Sequence, residues 1–319
     1  MAHTSGSSSR NKTLKILPEE REELLSRLSS VSGKKMEADE IRGKLFYGDL
    51  FASLEYFPSE CVDLLILDPP YNLAKSFGSL SFKKCSMDDY TDYLKSFLHP
   101  LKRLLKKNAS LYLCGDWNSC GAIQKALEEE SFIIRNRITW QREKGRGAKS
   151  NWKNCSEDIW FATNSEEYYF NADAVKMRKK VIAPYREEGK PRDWEETEEG
   201  RFRLTAPSNF LNDITVPYWS MPENTLHPTQ KPEKLMAKLI LASSREGDMV
   251  FDPFSGSGST LVTARKLNRE FCGIEQNEEY CLYAVKRLLA ALENKRIQGY
   301  DGKAFLERNT VLPSDSHFS

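Results

Sequence analysis

The chain has 319 residues, of which 39% are hydrophobic and 29% charged, and its formal net charge is +1. This describes a globular protein with a sizeable core, built as one large domain or as one domain carrying an insertion. No apolar run approaches the roughly 20 residues that span a bilayer, and a charge so near zero confines any nucleic-acid surface to a local patch.

The N-terminal stretch MAHTSGSSSRNK is polar and lacks an apolar signal-peptide core, which predicts a cytoplasmic protein with no membrane partner. Residues 1–13 read as disordered, and LPEEREELLSRLSS (17–30) reads as a helix with Pro18 and acids in its first turn. A short strand, GKLFYGD (43–49), follows. CVDLLILDPPY is a second strand whose nearly continuous apolar run predicts burial on both faces. An amphipathic helix (89–105), a strand (109–116), a helix (119–130) and two strands (134–142 and 157–164) come next. From 165 to 225 the chain is charged, Pro-rich and poorly periodic. Alternation resumes with a helix (231–244), the strand DMVFDPF (248–254), a Gly-rich turn, a helix (259–268), the strand EFCGIEQ (270–276) and a last helix (277–294).

Strands alternating with helices predict a mostly parallel α/β sheet. The pattern divides the chain into an N-terminal extension (1–42), a first α/β half (43–164), an insertion (165–225), a second α/β half (226–295) and a C-terminal tail (296–319). Seven cysteines lie scattered with no CxxC pair, and Cys114 and Cys272 fall inside apolar runs. They read as reduced, buried thiols and not as a disulfide framework or a metal site.

The unit MVFDPFSGSGSTLVTARKL combines a strand, a glycine turn and a helix. Gly256 and Gly258 let the backbone approach a ligand, and the helix start offers unpaired N–H groups. The next strand ends in Glu275, an acid placed to accept from both hydroxyls of a ribose. A plain tight turn is the simpler reading of the glycines alone. A dinucleotide oxidoreductase is the alternative, but the third glycine that packs the helix beneath a pyrophosphate is missing.

LDPPY, HPTQKP (227–232) and DPFSGSGST together resemble the DNA amino-methyltransferases, over roughly residues 43–290. Asp-Pro-Pro-Tyr precedes Phe-x-Gly-x-Gly, with a variable segment between them, which is the order of that family's beta group. The resemblance implies a Rossmann-like methyltransferase fold with a circularly permuted sheet, in which 43–164 is the catalytic half, 165–225 reads the target and 226–295 binds S-adenosylmethionine (AdoMet). It implies methyl transfer from AdoMet to the exocyclic amine of a flipped base in double-stranded DNA, and partners of the kind the family keeps: a second copy of the chain and a cognate restriction endonuclease. Adenine N6 is favoured because the motif begins with Asp, where cytosine-N4 members more often carry Ser. Cytosine N4, or an RNA or protein methyltransferase on the same fold, is the alternative.

The amine of adenine is a poor nucleophile because its lone pair is delocalised into the ring. Acceptors on both amino hydrogens free that pair: the Asp68 carboxylate takes one, and the carbonyl of Pro69 the other, its direction fixed by Pro69 and Pro70. Tyr71 offers a face for the extruded base. By resemblance, Phe254, Gly256, Gly258 and Thr260 line the AdoMet pocket, Asp252 anchors the turn or the methionine amino group, and Thr229 and Lys231 hold the methionine end. Asp49 occupies the position that meets the cofactor's adenine edge. His227 reads as a structural hydrogen-bonding residue, and Arg265 and Lys266 as a solvated face.

The stretch 138–161 is dense in Arg and Lys with interleaved Trp. It reads as a DNA-contacting loop, with Trp140 stacking near the base and Arg142, Lys144, Arg146 and Lys149 on phosphates; a charged surface loop is the simpler reading. The insertion contains the acidic run DWEETEEG (193–200), unlike a simple basic reader.

Overall fold

The computed structural model describes residues 10–73, 75–77, 80–142, 149–181, 185–188, 190–197 and 200–307. Its centre is an eight-stranded sheet formed by β1 (Lys44–Tyr47), β2 (Val62–Leu67), β3 (Leu105–Gly115), β4 (Ile133–Gln141), β5 (Ser156–Thr163), β6 (Phe210–Leu211), β7 (Met249–Asp252) and β8 (Glu270–Glu275). The spatial order is β1-β8-β7-β2-β3-β5-β4-β6. Neighbours pair in parallel except at β5, which runs against both β3 and β4. The sheet is thus mostly parallel, as its alternating sequence predicts.

The apolar run of β2 is explained by two-sided burial. Leu65 and Leu67 enter one core, which holds Leu94, Phe97 and Leu98 of one helix and Ala122, Ile123 and Ala126 of another. Leu64 and Ile66 enter the opposite core with Leu235, Leu239, Leu261 and Leu282. The helices, in chain order, are α1 (Arg21–Ser26), α2 (Ala38–Ile41), α3 (Leu50–Leu54), α4 (Met87–Lys102), α5 (Cys120–Glu129), α6 (Glu233–Ser243), α7 (Ser259–Lys266) and α8 (Glu278–Glu293). After β2 the chain turns to α4 on one face, and after β7 it turns to α7 on the other. Because β2 and β7 are neighbours, their loops part, and a crevice opens at their carboxyl ends.

Several elements differ from the sequence reading. The helix expected over 17–30 is a 3₁₀ turn, Pro18–Glu20, running into the short α1, after which Ser29 bridges to Phe46 of β1. The insertion, expected to be loop-rich, contains strands Met177–Lys180, Glu195–Thr197 and Gly200–Thr205. Its sheet is completed by Phe305–Leu306 from the C-terminal tail, which pairs in parallel with Met177 and Arg178. Short strands rich in charge carry little periodic signal, and the partner strand lies more than a hundred residues away. The N-terminal extension is also tied down: the amides of Lys12 and Leu14 donate to the carbonyls of Trp219 and Asn224 at 2.7 and 2.8 Å. Arg265 and Lys266 are not a solvated face. Arg265 Nη1 donates to the Leu288 carbonyl, and the Lys266 side chain, 12% exposed, pairs with Glu233 at 2.7 Å. All seven cysteines are free, with Cys114 and Cys272 buried.

Candidate active site

A cleft of about 350 Å³ sits at the carboxyl ends of β1, β2, β7 and β8, lined by Asp49, the Asp68–Tyr71 turn, Lys231, Phe254, Gly256 and Glu275. The acid–Pro–Pro–Tyr turn and the glycine turn therefore open into one space.

The catalytic turn is held from several sides. Tyr71 Oη donates to Asp68 Oδ1 at 2.9 Å, and Lys231 Nζ donates to Asp68 Oδ2 at 2.6 Å. From α4, Tyr90 Oη donates to the Pro70 carbonyl at 3.0 Å. Asn72 closes the far side, its Oδ1 accepting from the Cys85 amide at 2.8 Å and its Nδ2 donating to the Cys85 carbonyl at 3.1 Å. Burial, together with the charges of Asp68 and Glu157, pushes the Tyr71 phenol well above its ordinary range, so it serves as a neutral donor. Lys231 is 7% exposed. Burial opposes its charge, but the carboxylates of Asp68 and Glu157 outweigh burial and hold its ammonium above the usual lysine value.

The glycine turn is fixed by two acids. Asp252 is buried at the end of β7, and its Oδ1 accepts from the Phe254 amide at 3.0 Å. Burial pushes its carboxyl up to about 7. Glu275 accepts from the Gly256 amide at 2.7 Å through Oε2 and from the Asn277 amide at 2.8 Å through Oε1. Burial raises its pKa too. Each oxygen of an ionised carboxylate can accept a second hydrogen bond, so both retain capacity for a hydroxyl. Phe254 packs edge-on against Phe97, with ring centroids 5.1 Å apart.

The expected residues separate into those the cleft gathers and those it does not. Asp49 caps α3, accepting from the Ala52 amide at 2.9 Å, and lines the cleft, as does Thr229. Lys231, expected at the methionine end of the cofactor, is engaged with Asp68. Thr260 is buried behind the turn, its hydroxyl 3.4 Å from Met236 Sδ. Gly258 does not line the cleft; it caps α7 where that helix crosses α8.

Trp140, expected to stack on a base, is 1% exposed, and its indole donates to the Ile214 carbonyl at 3.1 Å. The β4 strand that carries it is covered by β6 and the residues just after it, a long-range pairing that the surrounding charges concealed. Arg142, expected on phosphate, lines the cleft and pairs with Glu157. Lys149 is exposed, and Lys144 and Arg146 lie outside the described residues.

In the sequence Glu157 stands out only as the start of a strand. It is buried at the amino end of β5 and lines the cleft beside Asp68. An antiparallel strand brings its start, not its end, to the carboxyl edge of its neighbours. The available signal is a pair of acids, Glu157 and Asp158, at the mouth of the apolar run in SEDIWFAT. His227, Tyr93, Asn277 and Tyr280 also line the cleft.

A nucleoside-sized cleft, an acceptor turn and a glycine turn on this sheet define a methyltransferase-type site that would take AdoMet. Comparison with known proteins agrees. The model of the N6/N4 DNA methylase family matches residues 62–286. The DNA adenine methyltransferase YhdJ of Escherichia coli is 34% identical over 251 residues, covering 76% of this chain and 82% of that protein. The type II methyltransferase M.HpaI of Haemophilus parainfluenzae is 31% identical over 274 residues, covering 85% and 80%. Among solved structures, the M1.HpyAVI–SAM complex superposes with a TM-score of 0.53 at 23% identity, covering 76% of this chain and 98% of that one. The cytosine-N4-specific PvuII DNA methyltransferase gives a TM-score of 0.59 at 18% identity, covering 88% and 99%, a likeness of fold. The chain belongs to the N6/N4 DNA methylase family, the AdoMet-dependent amino-methyltransferases.

Proposed function

We propose that the chain methylates N6 of adenine at a specific site in duplex DNA, as in restriction–modification. The observation that carries this is the shared cleft: Asp68 and Glu275 line one space of about 350 Å³. The adenine assignment draws on the name of the Escherichia coli relative, a DNA adenine methyltransferase.

In this reading Glu275 takes the ribose hydroxyls of AdoMet, Asp49 the adenine edge, and Phe254 the apolar wall. Bound there, AdoMet supplies an electrophilic methyl on sulfonium. Asp68 and the Pro69 carbonyl accept from the amine of a base turned out of the duplex, and Tyr71 offers it a face. The amine's lone pair is thereby directed at the methyl, and positioning supplies much of the rate. Asp68 starts pre-oriented, with Tyr71 on one oxygen and Lys231 on the other. The segment 165–225 reads the target, and Lys149 contributes to phosphate contact.

Among the described residues no helix is long and apolar enough to cross a membrane. The proposal extends to work in the bacterial cytoplasm, a paired second copy and a cognate endonuclease. Sedimentation tests the pairing, and protection of methylated plasmid from cleavage tests the endonuclease.

The purified chain is incubated with labelled AdoMet and duplex DNA, and the product is digested to nucleosides. N6-methyladenine at one sequence context is the expected result. N4-methylcytosine, or label in RNA but not in DNA, would refute the assignment.

A further inference from the structure

Glu157 is the buried carboxylate of the cleft for which the mechanism above has no use. Its position is unusual because it joins two parts of the site. Oε1 pairs with Arg142 Nη1, which also lines the cleft. Oε2 lies 3.3 Å from Tyr71 Oη and 3.4 Å from Lys231 Nζ, both of which also hold Asp68. Four charged side chains thus share one corner of the cleft: Asp68 and Glu157 negative, Lys231 and Arg142 positive. Their sum is zero. Glu157 is 5% exposed, so solvent screens this balance weakly.

Methyl transfer moves positive charge from sulfur onto the amine that Asp68 holds. A neutral cluster leaves Asp68 free to stabilise that charge. A cluster carrying an excess cation would oppose it, most strongly in the transition state. Building on the proposed function, we propose that Glu157 is a positioning residue for methyl transfer: by holding Lys231, Tyr71 and Arg142 at one point, it keeps the cluster that includes Asp68 neutral as the reacting nitrogen becomes cationic.

The test is single-turnover methylation of duplex DNA at saturating AdoMet by the full chain and by Glu157→Gln, with AdoMet affinity measured by calorimetry. Glu157→Gln keeps the shape and leaves the cluster at +1. The rate should fall about ten- to hundredfold, while AdoMet affinity stays within a fewfold. A second substitution separates electrostatics from packing.

The groups facing Lys231 are Asp68 and Tyr71 from the catalytic turn, Glu157 from β5, with Arg142 behind it, and Cys114 from β3. Removing one of the two carboxylates lowers the Lys231 pKa. Asp68 nevertheless stays on the ammonium at 2.6 Å, so Lys231 remains charged and the excess cation persists in the variant. Glu157→Gln combined with Arg142→Gln removes one charge of each sign and should be faster than Glu157→Gln alone.

A single variant within about twofold of the parent would overturn the proposal. So would a loss that the second substitution does not relieve. If Glu157→Gln does not fold, the double variant decides: a rate within about fivefold of the parent supports the proposal, and a slower one overturns it. An inactive parent overturns the proposed function and this inference with it, whereas an active parent with an unaffected variant overturns this inference alone.

Discussion

Gly256 and Gly258 stand two residues apart in one turn, yet the structure gives them different work. Both have positive φ, +51° and +77°. A Cβ on Gly258 would lie 2.7 Å from Ala284 Cβ and 3.1 Å from Ala284 Cα, in the contact between α7 and α8. Neither atom belongs to a flexible side chain, so the helices must separate. Left-handed backbone with a Cβ costs about 1–2 kcal/mol, and overpacking a dense contact costs about 1–3 kcal/mol more. Gly258→Ala should therefore lose about 2–5 kcal/mol, a large share of the 5–15 kcal/mol typical of a folded domain. AdoMet affinity of the folded fraction should stay near the parent's, since Gly258 does not line the cleft.

A Cβ on Gly256 would lie 2.9 Å from His227 Nε2, the end of a side chain that can shift, but that ring packs edge-on to Tyr280 with centroids 4.3 Å apart, and both rings line the cleft. Gly256→Ala should cost only about 1–2 kcal/mol of stability and weaken AdoMet at least about tenfold. Urea unfolding and calorimetry measure the two quantities. Gly258→Ala with parental stability, or the two variants failing in the same assay, would refute this division of labour.

Asp68→Ala should leave AdoMet binding intact and slow single-turnover methylation at least about a hundredfold; activity within a fewfold of the parent would reduce the motif to a turn. Glu275→Ala should weaken AdoMet about ten- to hundredfold by calorimetry, and unchanged binding would remove the ribose contact. Asp252 gives stability a pH dependence. Its folded-state pKa, about 7, lies above the unfolded value of 3.8, so between these the folded chain keeps a proton that the unfolded chain has released. Its contribution is complete below the lower value and is lost as pH rises through the upper one. Asp252→Asn does not titrate, so its stability relative to the parent should rise by about 2–3 kcal/mol between roughly pH 5 and 7; a constant difference in urea unfolding would refute the burial argument.

The parts of the site legible in the sequence are those written by local chemistry. A strand must stop at Pro69 and Pro70, a tight turn must use small residues, and an acid at the end of the next strand falls beside it. These local rules are enough to bring Asp68, Gly256 and Glu275 to one cleft. What escaped depends on sheet order. The position of Glu157 requires that β5 run backwards, and the burial of Trp140 requires cover from residues about seventy positions later. The pairing of Arg142 with Glu157 follows from the same antiparallel register, in which Trp140 stands opposite Glu157. Local composition around these residues is that of an exposed basic loop, and it carries no trace of the strands that cover them.

The tail's pairing with the insertion bears on how this protein could be re-engineered. Phe305 is fully buried in a small core with Val175 of the insertion and Ala237 and Leu241 of α6. Lys234 donates to the carbonyls of Leu306 and Asp213 at 2.6 and 2.9 Å. Residues 165–225 are therefore not a cassette. A chimera that exchanges them alone would leave Phe305 against a foreign surface and Lys234 without one of its acceptors. The transplantable unit is discontinuous: the insertion, the strand at 305–306 and the N-terminal residues hydrogen-bonded to Trp219 and Asn224 travel together, and a purification tag fused close behind Leu306 would weigh on the same joint.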